Sequence, residues 1–230
     1  MSSSSVVHPE VSIILPCRNE EDALGKCIRD IQNIVSNESM SAEIIVSDSS
    51  TDRSPEIAKN AGVHLIKHDK DGYGNAYLEG FAFAQGEYIF CADADGTYDF
   101  KEIPRFINEL KSGADLVIGN RFEGTIEKNA MPWAHQFIGN PLLSYILRLF
   151  FGSSVQDAHC GMRAIKKDVL PQLSLQTTGM EFASEMIIKA IKKQITIKEL
   201  PVNYNKRIGV SKLRTLTDGW RHMRFMLLYS

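Results

Sequence analysis

The sequence predicts an α/β domain built on a mixed, mainly parallel sheet flanked by helices. Three observations carry that reading. Short apolar, strand-like runs alternate with helical patterns, as in βαβ units. Polar loops follow the first, second and fourth of these runs, at the carboxyl ends where open sheets gather their ligands. The 230 residues, 43% of them hydrophobic, can bury an ample core, and no Pro/Gly/Ser-rich linker divides them.

The first run, Val11 to Leu15, leads into Pro16-Cys17-Arg18-Asn19-Glu20 and a helical pattern at Asp22 to Val35. Glu43 to Ser47 leads into Asp48-Ser49-Ser50-Thr51-Asp52 and a helix at Pro55 to Ala61. Val63 to Ile66 precedes a helix at Gly74 to Gln85. Gly72-Tyr73-Gly74 opens it, either as an ordinary turn or as a close backbone approach to a ligand. Tyr88 to Ala92 runs into Asp93-Ala94-Asp95-Gly96, ahead of a helix at Ile103 to Lys111. Further strands are expected at Asp115 to Ile118, Met162 to Lys166 and Thr196 to Leu200, with helices at Pro141 to Phe151, Glu181 to Lys193 and Thr217 to Leu228. Residues 10–230 thus read as one domain. Met1 to Pro9, with four consecutive serines, read as a disordered leader without the apolar core of a secretory signal.

The formal net charge of -2 hides an asymmetry. Residues 1–100 carry seven Lys/Arg against 17 Asp/Glu, whereas residues 192–230 carry nine Lys/Arg against Glu199 and Asp218. The basic end calls for an anionic partner. No helix-turn-helix, zinc-finger or RNP-type motif accompanies it, so phosphates on a substrate or a lipid surface fit better than nucleic acid. Cys17, Cys27, Cys91 and Cys160 form no CxxC pair and read as reduced, mostly buried thiols of a cytosolic protein. The six histidines show no zinc-ligand spacing.

The sharpest chemical signal is Asp93-Ala94-Asp95 at the end of an apolar run. Two carboxylates one residue apart share a side while the backbone stays extended. There they suit a hard divalent cation, Mg2+ or Mn2+, which commonly binds through one or two carboxylates plus substrate phosphates. A nucleotide diphosphate is the implied partner. The bland alternative is a polar Asp-Gly turn, and two further polar loops on the same rim make it harder to hold.

Six segments in order carry a resemblance: Val11 to Glu20, Val46 to Asp52, Asp93-Ala94-Asp95-Gly96, Gly119-Asn120-Arg121-Phe122, Asp157 to Arg163, and Arg207-Ile208-Gly209-Val210-Ser211-Lys212. Together they resemble the inverting family 2 glycosyltransferases of the GT-A fold, and within them the polyprenyl-phosphate glycosyltransferases of the dolichol-phosphate mannose synthase type. The resemblance implies that Pro16, Arg18 and Glu20 lie beside the base and ribose of the nucleotide and Asp48 against the base. It implies Asp93 and Asp95 as metal carboxylates flanking Ala94 at the donor, with Asp95 the more direct ligand. Thr97 stands where the family has a glutamine at the metal. Arg121 is similar to the arginine that meets the acceptor phosphate, and Arg207, Ser211 and Lys212 to loop residues that close over the donor diphosphate.

Each residue also has a structural alternative. Arg18 and Glu20 can pair with each other, and Arg207 and Lys212 can form a solvated basic face. Asp157 either caps the turn before the Met162 strand or lies near the sugar or acceptor, and Arg163 is then a candidate buried partner of such a carboxylate. Glu181 and Glu185, one helical turn apart, share a face that offers either a base toward the acceptor or an ordinary solvated surface.

Phe137 to Phe151 carries one charge, Arg148, and reads either as an interfacial helix that receives a polyprenyl chain or as a core-packing helix. No run reaches the roughly 20 apolar residues of a membrane helix. Residues 213–230 mix aromatic, basic and apolar side chains as juxtamembrane segments do, in a chain that continues into transmembrane helices or rests on the membrane. The expected function is metal-dependent, inverting transfer of a hexose from a nucleotide diphosphate sugar to a polyprenyl phosphate at the cytosolic face of a membrane. A lipid monophosphate is already an anionic nucleophile and requires no general base. The alternatives are transfer to a saccharide acceptor, with Glu181 or Asp157 as base, and a non-catalytic nucleotide- or lipid-binding module.

Overall fold

Seven strands form one sheet in the computed structural model, which describes residues 8–210 and 215–229. They are β1 (Val11–Cys17), β2 (Ala42–Asp48), β3 (His64–Lys67), β4 (Tyr88–Cys91), β5 (Leu116–Asn120), β6 (Arg163–Lys166) and β7 (Ile197–Pro201), in the spatial order β3-β2-β1-β4-β6-β5-β7. The middle strands are apolar almost throughout because helices cover both faces of the sheet; Ile13, Ile14 and Leu15 of β1 are fully buried.

The helices are α1 (Leu24–Asn37), α2 (Ser54–Asn60), α3 (Tyr73–Phe83), α4 (Ile103–Lys111), α5 (Asn140–Phe151), α6 (Leu170–Leu173), α7 (Phe182–Lys192) and α8 (Thr215–Tyr229). Their buried residues fall at helical spacing. In α1 they are Leu24, Cys27, Ile28 and Ile31, and in α4 they are Ile103, Phe106, Ile107 and Leu110. Phe106 meets Phe90 of β4 edge-on at 5.6 Å, and Phe182 of α7 stacks on Tyr77 of α3 at 5.5 Å. Proline in the first turn starts α2, α4, α5 and α6, where its missing N–H leaves no helical bond unmade.

Each expected strand and helix is present, with ends displaced by at most two residues. Three short elements were not expected: α6, a 3-10 turn at Phe100–Glu102 and a π turn at His135–Gly139. None is long enough to print a period on the sequence. The expected leader lies largely outside the described residues, as do Ser211 and Lys212.

The direction of β6 positions the site. It runs antiparallel to β4 and β5, while β1 pairs in parallel with β2 and β4, β2 with β3, and β5 with β7. Strands β1, β2, β3, β4, β5 and β7 therefore end on one rim, and β6 begins there. All four cysteines are free and buried, as expected. Burial pushes the Cys17 and Cys27 thiols up to about 12, which leaves them without thiolate character at neutral pH. Among the described residues no helix is long and apolar enough to cross a membrane.

Candidate active site

Asp93 and Asp95 stand where β4 leaves the sheet. Asp95 is buried, and its Oδ1 accepts hydrogen bonds from the Thr97 amide at 2.9 Å and the Thr97 hydroxyl at 2.6 Å. Its Oδ2 is buried without a hydrogen bond among the described residues and forms an ion pair with Arg207 Nη2. Asp93 is half-buried, and Gly161 presses on it so closely that a Cβ there would lie 2.5 Å from Asp93 Oδ2. Burial, then the Asp95 charge, raises the Asp93 carboxyl to about 7, with Arg207 and Arg121 pulling the other way.

The two carboxylates fit a hard cation: both are oxygen donors, and the buried Asp95 Oδ2 accepts no hydrogen bond of good geometry and is met by a positive charge, the Arg207 guanidinium. Among the described residues no third His, Cys, Asp or Glu joins them, so further ligands would come from substrate phosphate and water. Thr97, expected in the metal set, is fully buried and spends its hydroxyl proton on Asp95, which makes it an orienting residue. Ala94 is buried in the core cluster.

On the nucleotide side, Arg18 does not pair with Glu20. It forms an exposed bridge with Asp71 at 2.8 Å, and Glu20 instead meets Arg207 Nη1 at 3.2 Å. Pro16, half-buried near the end of β1, lies on the rim beside them. Asp48 is fully buried at the end of β2. Lys67 donates to its Oδ2 at 2.7 Å, the Ser50 amide to the same oxygen at 3.2 Å, and the Ser50 hydroxyl to Oδ1 at 2.5 Å. Its carboxylate is thus engaged from within, and of its partners Lys67 is exposed while Ser50 is buried. Burial works against the charge of Arg207, yet Asp95, Asp93 and Glu20 hold its pKa above the ordinary guanidinium value.

Across the rim, Arg121 and Asp157 form a buried fork. Arg121 Nε donates to Asp157 Oδ2 and Nη2 to Oδ1, both at 2.7 Å, and the Arg121 amide adds a bond to Oδ2 at 3.0 Å. Burial opposes the guanidinium charge, but the Asp157 charge and hydrogen bonds, with Tyr98 and Cys160, together keep the Arg121 pKa well above its usual value. The Asp157 carboxylate is fully buried, and both of its oxygens are engaged by Arg121. Nη1 lies outside the fork. Arg121 also stacks on Tyr204 at 5.3 Å and lines a cavity of about 390 Å³ with Phe122, Gly124, Ile126, Gln136, Phe137 and Pro141.

Arg163, a candidate partner for such a carboxylate, donates instead to the backbone carbonyls of Cys160, Ala183 and Ala158 at 2.9, 3.1 and 2.8 Å. Glu181 and Glu185 part company. Glu185 is buried, pairs with Lys189 at 2.6 Å and collects the amides of Gln176 and Thr177, which makes it structural. Glu181 accepts the Gly179 amide at 3.3 Å through Oε1, and its buried Oε2 has no hydrogen-bonding partner among the described residues. Gly72 and Gly74 are packing glycines: a Cβ on either would lie 2.2 and 2.1 Å from the carbonyls of Thr178 and Thr177.

The profile of the family described as "Glycosyl transferase family 2" matches residues 12–174. The chain belongs to glycosyl transferase family 2. It is 44% identical over 229 residues to the low-salt glycan biosynthesis hexosyltransferase Agl6 of Haloferax volcanii, covering 99% of the chain and 55% of that protein, so the chain spans about half the length of this relative. It is 29% identical over 211 residues to the dolichyl-phosphate hexose transferase of the same organism, covering 91% of the chain and 89% of that protein. The fold matches glucosyl-3-phosphoglycerate synthase of Mycobacterium tuberculosis, solved with Mn2+, UDP and its product, with a TM-score of 0.73 at 20% identity over 96% of this chain and 80% of that one. Mannosyl-3-phosphoglycerate synthase of Rubrobacter xylanophilus matches with a TM-score of 0.72 at 18% identity over 96% and 72%. The GT-A arrangement expected from the sequence is the one observed.

Residues of this family 2 glycosyltransferase that the sequence reading missed include Lys67, Tyr204 and a buried chain behind the rim. His159 Nε2 lies 3.1 Å from Ser184 Oγ, which lies 2.7 Å from His222 Nδ1, and the two rings meet edge-on at 4.5 Å. Burial, then Arg163, lowers His222 to about 4, and burial with His222 lowers His159 well below the usual imidazole range. The histidines are widely separated in sequence, so no spacing betrays them; Lys67, at the end of a strand on the same rim, was within reach of the loop argument.

Two predictions follow from burial. Asp157→Ala strands the Arg121 charge and is expected to cost about 3–5 kcal/mol of stability, read as a lowered urea midpoint at unchanged slope. The His222 pKa is depressed on folding, so this imidazole binds more protons in the unfolded chain between about pH 4 and about pH 6.5. Its contribution to stability is full above that window and is lost as the pH drops through it, while the raised Asp93 carboxyl works in the opposite sense. Urea melts at neutral pH and about pH 5 should therefore show stability falling less on acidification in His222→Gln than in the wild type.

Proposed function

We propose that the chain carries out metal-dependent, inverting transfer of a hexose from a nucleotide diphosphate sugar to a polyprenyl phosphate at the cytosolic face of a membrane. One observation supports this above others: Arg121 opens into the same cavity as Phe137 and Pro141, which belong to the apolar segment around α5. An anion-binding guanidinium next to an apolar helix suits a ligand that is phosphate at one end and hydrocarbon at the other.

That segment presents Phe137, Ile138, Leu142, Tyr145 and Leu149 to the outside, each at least half exposed, while Ser144 and Leu147 face inward. Positions 138, 142, 145 and 149 fall on one helical face. Helix α8 packs against α5 and α7 and adds exposed Trp220, Leu227 and Leu228 together with Arg221 and Arg224. An apolar surface bordered by arginines suits the boundary between acyl chains and anionic headgroups.

Asp93 and Asp95 would hold Mg2+ or Mn2+, and the bound ion would stabilise negative charge on the departing nucleoside diphosphate. Glu20 and Pro16 border the nucleoside, and Arg207 lies where it can meet the diphosphate. Ser211 and Lys212, outside the described residues, are proposed to join it. Arg121, fixed by Asp157, orients the acceptor phosphate for attack opposite the leaving group, and orientation carries much of the rate. The buried, unpartnered Glu181 Oε2 favours a second reading, in which Glu181 acts as base toward a saccharide hydroxyl. The hexosyltransferase and dolichyl-phosphate hexose transferase relatives support a hexose donor and a dolichyl-phosphate acceptor.

Labelled sugar nucleotides incubated with the protein, Mn2+ and polyprenyl phosphate decide between the readings. Label should pass into the organic phase, EDTA and Asp95→Ala should each abolish transfer, and Glu181→Gln should retain it. Label appearing only on an added saccharide, with loss of transfer in Glu181→Gln, would replace the first reading by the second.

A further inference from the structure

We propose that Arg207 is a tethered cation that exchanges partners: it spans Glu20 and Asp95 until a divalent ion and the donor diphosphate arrive, and this exchange makes ion and donor bind cooperatively. The inference rests on the donor and metal reading above and assigns Arg207 a role in coupling them.

The geometry defines the competition. Asp95 offers two carboxylate oxygens. Thr97 occupies Oδ1 with two hydrogen bonds, so the oxygen left for a metal is Oδ2, the one that Arg207 Nη2 pairs with. The other arm, Nη1, reaches Glu20 on the nucleotide side at 3.2 Å. Guanidinium and metal ion therefore seek the same oxygen, and a second positive charge entering there meets repulsion unless Arg207 moves.

The backbone holds Arg207 over this spot. The Asn205 amide donates to the Thr97 carbonyl at 2.8 Å, the Ile208 amide to the Asp95 carbonyl at 2.8 Å, and Tyr204 meets Tyr98 edge-on at 5.4 Å. The Ile208 side chain covers Gly96, where a Cβ would come within 3.0 Å of it. These contacts leave the Arg207 side chain as the part free to turn, and Gly209, at φ 89, supplies a backbone pivot directly after Ile208. Once displaced from Asp95, the guanidinium needs a new anion. A diphosphate bound to the same metal supplies one within reach, in the bidentate geometry that guanidinium favours. Each ligand then lowers the cost of admitting the other, and linkage makes the effect reciprocal.

The test measures Mn2+ affinity of the whole chain by the EPR signal of free Mn2+, without nucleotide and with saturating UDP or GDP, whichever raises the melting temperature. Arg207→Ala and the neutral but bulkier Arg207→Gln should both bind Mn2+ alone more tightly, by about tenfold, in the range typical of coupled sites. In both, the gain in Mn2+ affinity caused by nucleotide should shrink relative to wild type. Unchanged or weaker Mn2+ binding in the two variants, with thermal unfolding intact, overturns the proposal. So does a gain in Arg207→Ala alone, because lost bulk would then explain it. If neither wild type nor variants bind Mn2+, this inference and the metal site fall together. A normal Mn2+ result with no transfer to lipid removes only the acceptor reading.

Discussion

Two carboxylates at the end of a buried strand demand positive charge, and the rim of this protein is arranged around that demand. Asp93 and Asp95 lie one residue apart, and burial, then their mutual repulsion, raises Asp93 to about 7. Charges so placed are tolerated only beside compensating ones. The chain supplies Arg207 directly on Asp95 and Arg121 at longer range, itself balanced by Asp157. A site that concentrates acid and then surrounds it with guanidinium groups is suited to a ligand that brings both a divalent cation and phosphates.

The sheet makes this possible by ending six strands and starting a seventh on the same edge. The antiparallel β6 is the economical part of the design. Because it enters the sheet from the rim, the segment from Asp157 to Gly161 passes between Arg121 on one side and Asp93 on the other. The Asp93 side and the Arg121 side of the rim are thereby joined through five residues. The exposed apolar surface of α5 and α8 lies beyond Arg121, so a lipid acceptor would approach the sugar from the side opposite the nucleotide loops.

Much of this was legible in the sequence. The strand runs, the helical stripes of α1 and α4 and the three polar loops after β1, β2 and β4 depend on local periodicity, which a sequence records directly. The antiparallel course of β6 was not visible, because four residues of strand carry no sign of direction. Charge pairing was the least legible feature. Arg18 lies two residues from Glu20, yet each finds a distant partner, Asp71 and Arg207. Asp157 and Arg121 are separated by 36 positions, and the fork between them occupies both oxygens of the candidate base. The difference between Glu181 and Glu185 likewise lay in burial: one turn of helix placed Glu185 inside, against the amides of Gln176 and Thr177.

The account depends most on a cation bound at the end of β4 in contact with a nucleoside diphosphate. Anomalous diffraction from crystals grown with Mn2+ and the preferred nucleotide tests it directly. The account predicts a manganese peak within coordination distance of Asp95 and bridged to the diphosphate, with Asp93 beside it. A nucleotide bound on the rim with no anomalous peak near either carboxylate would contradict it.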